Sequence, residues 1–432
     1  MTDAKNVVLV TLDSVRADHC GYLEYDRETT PNLSKMSDDS LVFEKAIAPS
    51  NSTPPSMLRL FTGDNLPSSV GGTDPESWRS AIGERETLAD AFKRRGYTTA
   101  AFNPNAYASS YFGFDKGFDH YQDFIEEGRS GGKLYSKILD LLNREGKSGP
   151  LASIRNIMNL VQREEVFKPW EDFFADIVQW VESAEEPYFL WVLLLDTHHP
   201  YLAPRNDRQW SSFLGMWRSN FRVTQVMNDE TADMNSELST RNQTDLMDAY
   251  DDSIRYADRF LAELQDVLTE SDPVYAIHAD HGEAFGEHGP HGHHTSLLYD
   301  TLLHVPLVID NAGVTGRIEE QFSLADLRSL LLNLADETVT DEGDVPTSKY
   351  VVSEVPSDDA VNVAVRSRRW KYVRTTTDGE MLFDLQTDPA EQQNVASNHP
   401  DLVKEFSNLT TVRRNTDSER QLISKSIPIK QL

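Results

Sequence analysis

Three apolar runs in this chain end abruptly in residues of metal-ligating type, and that pattern restricts the fold more than any other feature. Val7 to Leu12 runs into Asp13, and Tyr188 to Leu195 runs into Asp196-Thr197-His198-His199-Pro200-Tyr201. The stretch Val274 to His294, VYAIHADHGEAFGEHGPHGHH, delivers Asp280 and His281 directly after its apolar part. Short β-branched runs bounded by polar residues read as buried strands. In open α/β sheets such strands present their sites at their carboxyl ends. A carboxylate beside an imidazole suits a divalent cation, and Gly282 lets the backbone turn away without a side chain in the path. A solvated His-rich loop would account for the last stretch taken alone. It does not account for the same arrangement at Asp13 and again at Asp196 to His199.

A fourth polar position comes from a helix start. Thr53, followed by Pro54 and Pro55, reads as the N-cap of a helix through Ser56-Met57-Leu58-Arg59-Leu60. Unpaired amides and the positive end of the helix dipole would make its surroundings an anion site. Ligands on distant segments then converge on one face of a doubly wound sheet.

The rest of the chain fits that architecture. Leu41 to Ala46 and Tyr97 to Phe102 are further strands, the second followed by the loop Asn103-Pro104-Asn105. Helices are expected over Glu86 to Arg95, Asp245 to Leu268 and Phe322 to Ala335, and His304 to Ile309 reads as one strand. Asp140 to Ser183 carries helical periodicity, broken around Lys147 to Pro150. Arg205 to Thr244 is polar, tryptophan-bearing and without clear period, as in a lid or insertion. Beyond residue 336 an acidic linker leads to four closely spaced short strands, Val351 to Glu354, Val361 to Val365, Lys371 to Arg374 and Met381 to Leu385, and a helix from Asp401 to Leu409. The expected fold is a large doubly wound mixed sheet flanked by helices over residues 1–336, with 205–244 as a lid or insertion. A small antiparallel subdomain follows over 348–410, and 411–432 form a peripheral tail.

Charge narrows the partners. The 432 residues include 70 acidic and 41 basic ones, a formal net charge of -29. Such a surface repels polyanions, which argues against nucleic acid and anionic membrane as partners. The 39% hydrophobic content is enough to build a core, so the charge excess does not signal disorder. It resembles instead the surface of halophilic proteins. The single cysteine, Cys20, excludes an internal disulfide. No run nears the roughly 20 apolar residues of a membrane span, and Met1 leads through polar residues straight into the first strand. The expected location is a high-salt cytoplasm.

Taken together, LVTLDSVRADHCGY, TPPSMLRLFTG, THHPY, ADHGEAFGEHG with LYDTLLHVPLVI, and the late WKYV and LFDLQTDPAEQQN resemble the sulfatase family of the alkaline phosphatase superfamily, in matching order across nearly the whole chain. The resemblance implies that Asp13, Asp280 and His281 hold a divalent metal, with Thr53 both touching it and acting as nucleophile. It implies that His198 and His294 bind the non-attacked oxygens of an ester or protonate the leaving group, and that Asn105 and His199 face the substrate. His294 is assigned by its distance from Tyr299, with His291 and His293 close enough to compete for the position. The substrate would be a small-molecule, glycan or lipid ester.

Two departures from the family pattern bear on chemistry. Sulfatases carry C/S-x-P-S-R, whose first residue is oxidised to formylglycine, where this chain has Thr53, Pro54, Pro55, Ser56 and Met57. Threonine cannot become formylglycine, and the supporting arginine is absent, Arg59 lying two residues on. Many relatives also have two adjacent acids after the first strand, whereas Asp13 is followed by Ser14. One fewer carboxylate, with an imidazole in the set, shifts the preference from calcium toward manganese or zinc and leaves all three as candidates. The expectation is a formylglycine-independent ester hydrolase that prefers phosphoryl over sulfuryl transfer, as in related phosphodiesterases and phosphoglycerol transferases with threonine nucleophiles. A two-metal variant would bind a second ion through Asp196, His198 or His199, and His294; a non-catalytic relative would keep the metal site for structure or ligand binding. The halophilic expectation is checked by thermal unfolding: stability should collapse when molar salt is removed, and full stability in dilute buffer would contradict it.

Overall fold

The computed structural model describes residues 4–65, 70, 74–124, 168–227, 238–357 and 360–411. Its central sheet is built from strands β1 (Val7–Leu12), β2 (Leu41–Ile47), β3 (Thr98–Phe102), β4 (His120–Gln122), β5 (Tyr188–Leu194), β6 (Val274–Ala279), β7 (His304–Val305), β8 (Leu307–Asp310) and β9 (Gly316–Ser323). Their order is β4-β3-β5-β1-β6-β8-β2-β7, with β9 beside β2. β4, β3, β5, β1 and β6 are parallel. β8 runs antiparallel to both β6 and β2, so β2 points the same way as β6.

Register decides what this sheet can present. Leu12 pairs with Leu194 of β5 and Ala279 of β6, so three adjacent parallel strands end level. All their residues are buried, as continuous apolar runs must be when a sheet is covered on both faces. Pro306 divides the expected strand His304 to Ile309 into β7 and β8, having no N–H to give the ladder.

The long helix Thr240–Val267 carries buried acids that order the loops around it. Asp258 accepts the amides of Asn32 and Leu33, both at 2.8 Å, capping the helix Pro31–Met36. Asp252 takes the amides of Gln209, Trp210 and Ser211 at 2.6, 3.0 and 2.8 Å. Each carboxylate is buried because N–H groups satisfy it.

Two expectations are corrected. The segment Arg205 to Thr244 contains the helix Phe213–Met227, and the long helix already begins at Thr240. The first of these escapes a hydrophobic-period search because its buried face includes Ser219 and Asn220, while Phe213 and Leu214 are exposed. Phe322 and Ser323 end a strand, not begin a helix; the α-helix runs Leu327–Ala335. β9 is a polar strand, with Glu319 and Glu320 exposed, and it is held by its parallel pairing to β2. The helical periodicity after Asp140 is present as Glu171–Ser183, whereas residues 140–167 lie outside the described residues. Among the described residues, no helix is long and apolar enough to cross a membrane.

The second sheet is a meander of β10 (Val351–Ser357), β11 (Ala360–Arg366), β12 (Trp370–Thr375) and β13 (Gly379–Asp384). Alternation gives it two faces. Val363, Val365, Tyr372 and Leu382 pack with Phe406 of the helix at 400–411, while Ala364, Val373, Met381 and Phe383 join the main core. At that junction Lys371, fully buried, binds Asp300 and Glu391, both at 2.7 Å, and Arg366 binds Asp300 at 3.0 Å. Asn362 Nδ2 also donates to the Thr295 carbonyl oxygen at 2.9 Å, so the small sheet braces the loop that carries the late histidines. Replacing Lys371 by Met would leave buried Asp300 and Glu391 short of a cation, at an expected cost of about 3–5 kcal/mol in denaturant unfolding. A loss below about 1 kcal/mol would contradict this role of the pair network.

Candidate active site

The level strand ends bring the polar residues together. Asp13 continues the β1 ladder, its amide donating to the Leu194 carbonyl at 3.1 Å, and Ser14 turns away at once with φ 63°. Asp280 and His281 follow β6 directly. A Cβ on Gly282 would lie 2.1 Å from the Thr301 carbonyl oxygen, so glycine alone lets this loop close on Thr301. Asn105 follows β3, its amide held by the Asn103 side chain at 2.8 Å.

Thr53 corrects its own expectation in an informative way. The N-cap is Ser52, and Thr53 is the first residue of the helix Thr53–Thr62. Its hydroxyl therefore does no capping. Thr53 Oγ1 lies 3.5 Å from Asp13 Oδ2, 3.3 Å from His281 Nε2 and 3.3 Å from Asn105 Nδ2. The anion site expected from free amides is also reduced, because Pro54 and Pro55 have no N–H and the Ser56 amide donates to Ser52 O at 3.2 Å. What remains there is the helix dipole and at most the amide of Thr53. Arg59 is buried elsewhere, donating to the Pro49 carbonyl at 2.9 Å.

Asp13, Asp280 and His281 are all fully buried, with one ligand atom of each within 4.8 Å of the others. Asp280 Oδ1 accepts the amides of Ser14 and His281 at 3.3 and 3.0 Å, while Oδ2 is buried without a hydrogen bond. Burial and the neighbouring Asp13 push the Asp280 carboxyl well above the usual carboxylate range. His281 Nδ1 donates to the Gly282 carbonyl at 2.8 Å, which leaves Nε2 as a lone pair facing Asp13 at 3.7 Å and Asp280 at 3.6 Å. Burial lowers the His281 pKa although Asp13 opposes it, which favours the neutral imidazole that ligates metals. An orphaned carboxylate oxygen, a second carboxylate and an oriented imidazole fit a divalent cation.

The histidines sort differently from the sequence expectation. His294 is exposed, its Nδ1 against Ser296 Oγ at 2.8 Å. The ring that approaches the cluster is His293, with its centroid 5.0 Å from that of His281 and 5.6 Å from that of His198. Residues 293–298 belong to no regular helix or strand, so a count back from Tyr299 does not fix which ring points inward. His199 lies edge-on to Tyr201, centroids 5.6 Å apart, and burial with His198 beside it lowers its pKa to about 4. Asp196 Oδ1 accepts the Trp170 amide at 3.3 Å, and Asp196 does not fall within metal-ligand spacing of the residues grouped with it for a second ion. Among the described residues, Asp13, Asp280 and His281 are the one His/Cys/Asp/Glu group with metal-ligand spacing.

Glu283 was missed. It is buried, accepts the Tyr201 hydroxyl at 2.9 Å and lies 3.5 Å from His293 Nδ1. Burial raises its pKa, but His293, His198 and His281 outweigh burial and hold it at about 2. The available signal was its position in the DHGE tetrad, next to two ligands.

The sulfatase family model matches residues 5–337, and the chain belongs to the sulfatase family. It is 27% identical over 248 residues to choline-sulfatase of Rhizobium meliloti (strain 1021), a match covering 50% of this chain and 48% of that one. With iduronate 2-sulfatase of Homo sapiens it shares 23% identity over 367 residues, 74% of this chain and 62% of the relative. The chain thus spans about half to under two thirds of these relatives' lengths. The crystal structure of phosphonate monoester hydrolase of Agrobacterium radiobacter shares the fold, with a TM-score of 0.68, 18% identity and 96% of each chain covered.

Burial, opposed by the Trp170 amide bond and reinforced by Glu171 and Asp172, raises Asp196 from 3.8 to about 8. The folded state therefore holds a proton that the unfolded chain has lost, and this contribution to stability falls as pH rises from about 4 to about 8. Asp196→Asn, neutral throughout, should flatten that part of the stability profile and leave bound metal unchanged. Loss of a metal equivalent in Asp196→Asn would restore Asp196 as a ligand.

Proposed function

We propose that the protein is a metal-dependent hydrolase or transferase of phosphate, phosphonate or sulfate esters, with Thr53 as nucleophile and phosphoryl transfer preferred. The observation that carries this reading is the Thr53 hydroxyl itself. It takes no part in capping its helix and faces Asp13, His281 and Asn105 within 3.5 Å. Asp13, Asp280 and His281 would hold the ion, which when bound lowers the hydroxyl pKa and offsets charge on the transferring group.

The chain's own residues do the rest. Asn105 Nδ2 donates toward Thr53 Oγ1 and stabilises negative charge on that oxygen. The dipole of the helix Thr53–Thr62 acts in the same sense at its first residue. His198 and His293 flank the cluster and are suited to bind the non-attacked oxygens or protonate the leaving group. Attack gives a threonine ester, which water or an acceptor alcohol then cleaves. An aldehyde hydrate can expel sulfate by re-forming its carbonyl, whereas a threonine ester has no such route. That difference, with Met57 in place of the supporting arginine, favours phosphorus over sulfur. The names of choline-sulfatase and iduronate 2-sulfatase support a small-molecule or glycan ester as substrate. Within the expected lid or insertion, the helix Phe213–Met227 would shape the mouth of the site; residues 228–237 lie outside the described residues.

Hydrolysis of paired chromogenic esters tests this reading: a sulfate monoester against phosphate mono- and diesters and a phosphonate monoester, in high salt with manganese, zinc or calcium. Phosphorus esters should turn over with one metal equivalent per chain, and Thr53→Ala should lose at least about a thousandfold in rate while keeping the fold. An active Thr53→Ala enzyme would remove Thr53 as nucleophile. Silence on every ester with metal bound would favour the non-catalytic relative.

A further inference from the structure

We infer that Glu283 is a positioning residue for His293, and that Tyr201 and Asn220 extend this support to the helix Phe213–Met227. The inference rests on the reading above, in which His293 acts at the leaving group. Glu283 is 2% exposed, and a carboxylate so buried is unfavourable unless it is matched. The neighbouring cation Arg16, distant in sequence, does not match it. Arg16 spends its guanidinium on Asp18 at 2.7 Å and Glu287 at 2.5 Å, and touches Glu283 only at the backbone oxygen, at 3.2 Å. That contact fixes the main chain and leaves the carboxylate to other partners.

The two carboxylate oxygens then divide. Oε2 accepts the Tyr201 hydroxyl at 2.9 Å, and Oε1 faces His293 Nδ1 at 3.5 Å. Tyr201 is itself held on both sides of its backbone. Its amide donates to Asn220 Oδ1 at 2.8 Å, and Asn220 Nδ2 donates to its carbonyl at 3.0 Å. Asn220 and Tyr201 are each 2% exposed, and the Tyr201 ring lies edge-on to Tyr250 at 5.1 Å. A buried line therefore runs Asn220, Tyr201, Glu283 and ends on a partly exposed imidazole beside His281 and His198. A carboxylate engaging one imidazole nitrogen orients the ring and leaves the opposite nitrogen, here Nε2, for substrate.

The test compares esters of poor alkyl and good aryl leaving groups in Glu283→Gln, Tyr201→Phe and His293→Ala proteins. Glu283→Gln should lower kcat on the alkyl ester by about 10- to 100-fold and on the aryl ester by less than about threefold, with KM and bound metal unchanged. Tyr201→Phe, which keeps the ring packing, should give the same pattern with smaller losses and serves if Glu283→Gln folds poorly. Equal losses on both esters in the Glu283 and Tyr201 proteins, with His293→Ala still selective for the alkyl ester, would overturn the positioning role alone. Equal losses in His293→Ala would overturn the reading of His293 on which it rests.

Discussion

Two carboxylates, Asp13 and Asp280, stand side by side in a fully buried space, and the rest of the site is arranged around that repulsion. Like charges in low dielectric cannot both persist without compensation. Here the compensation comes partly from backbone amides on one oxygen of Asp280 and from the Asn105 side chain on Asp13, at 2.7 Å. One oxygen of Asp280 is left with no hydrogen bond. A divalent cation is the economical answer to that arrangement, and His281 already offers it a third donor.

The sheet makes this arrangement reproducible. Because β1 and β6 are adjacent, parallel and end in register, the residues that follow them must emerge side by side. Thr53 reaches the same point from β2, which runs in the same direction, through a helix whose first turn holds two prolines. Those prolines fix φ and remove amide donors, so the helix start contributes orientation and dipole more than hydrogen bonds. The placement of the late histidines depends on one contact far away in sequence, Asn362 on the loop at Thr295, and on one within the same segment, Glu283 beside His293.

Much of this was legible before any coordinates. Asp13, Asp280 and His281 follow apolar runs immediately, so their position is a local consequence of strand ends. The small C-terminal sheet was legible for a similar reason, its alternation being strong and its turns short. The failures share one cause, long-range structure overriding local pattern. β9 is a strand because β2 pairs with it, not because its polar residues prefer the state. The helix Phe213–Met227 buries Asn220 for the sake of Tyr201, which no hydrophobic period records. His294 matched the expected distance from Tyr299, but the loop is held from outside by Asn51 and Asn362, and it is the His293 ring that lies beside His281. Asp196 looked like its neighbours in composition, yet an amide on the facing segment turns it aside.

The stereochemical course at phosphorus distinguishes attack by Thr53 from direct attack by the acceptor, using an ester made chiral at phosphorus by oxygen isotopes and transferred to an acceptor alcohol. Attack by Thr53 followed by attack of the acceptor inverts the centre twice, so the account predicts net retention. Net inversion would mean that water or alcohol attacks the ester directly and that the Thr53 hydroxyl is a bystander.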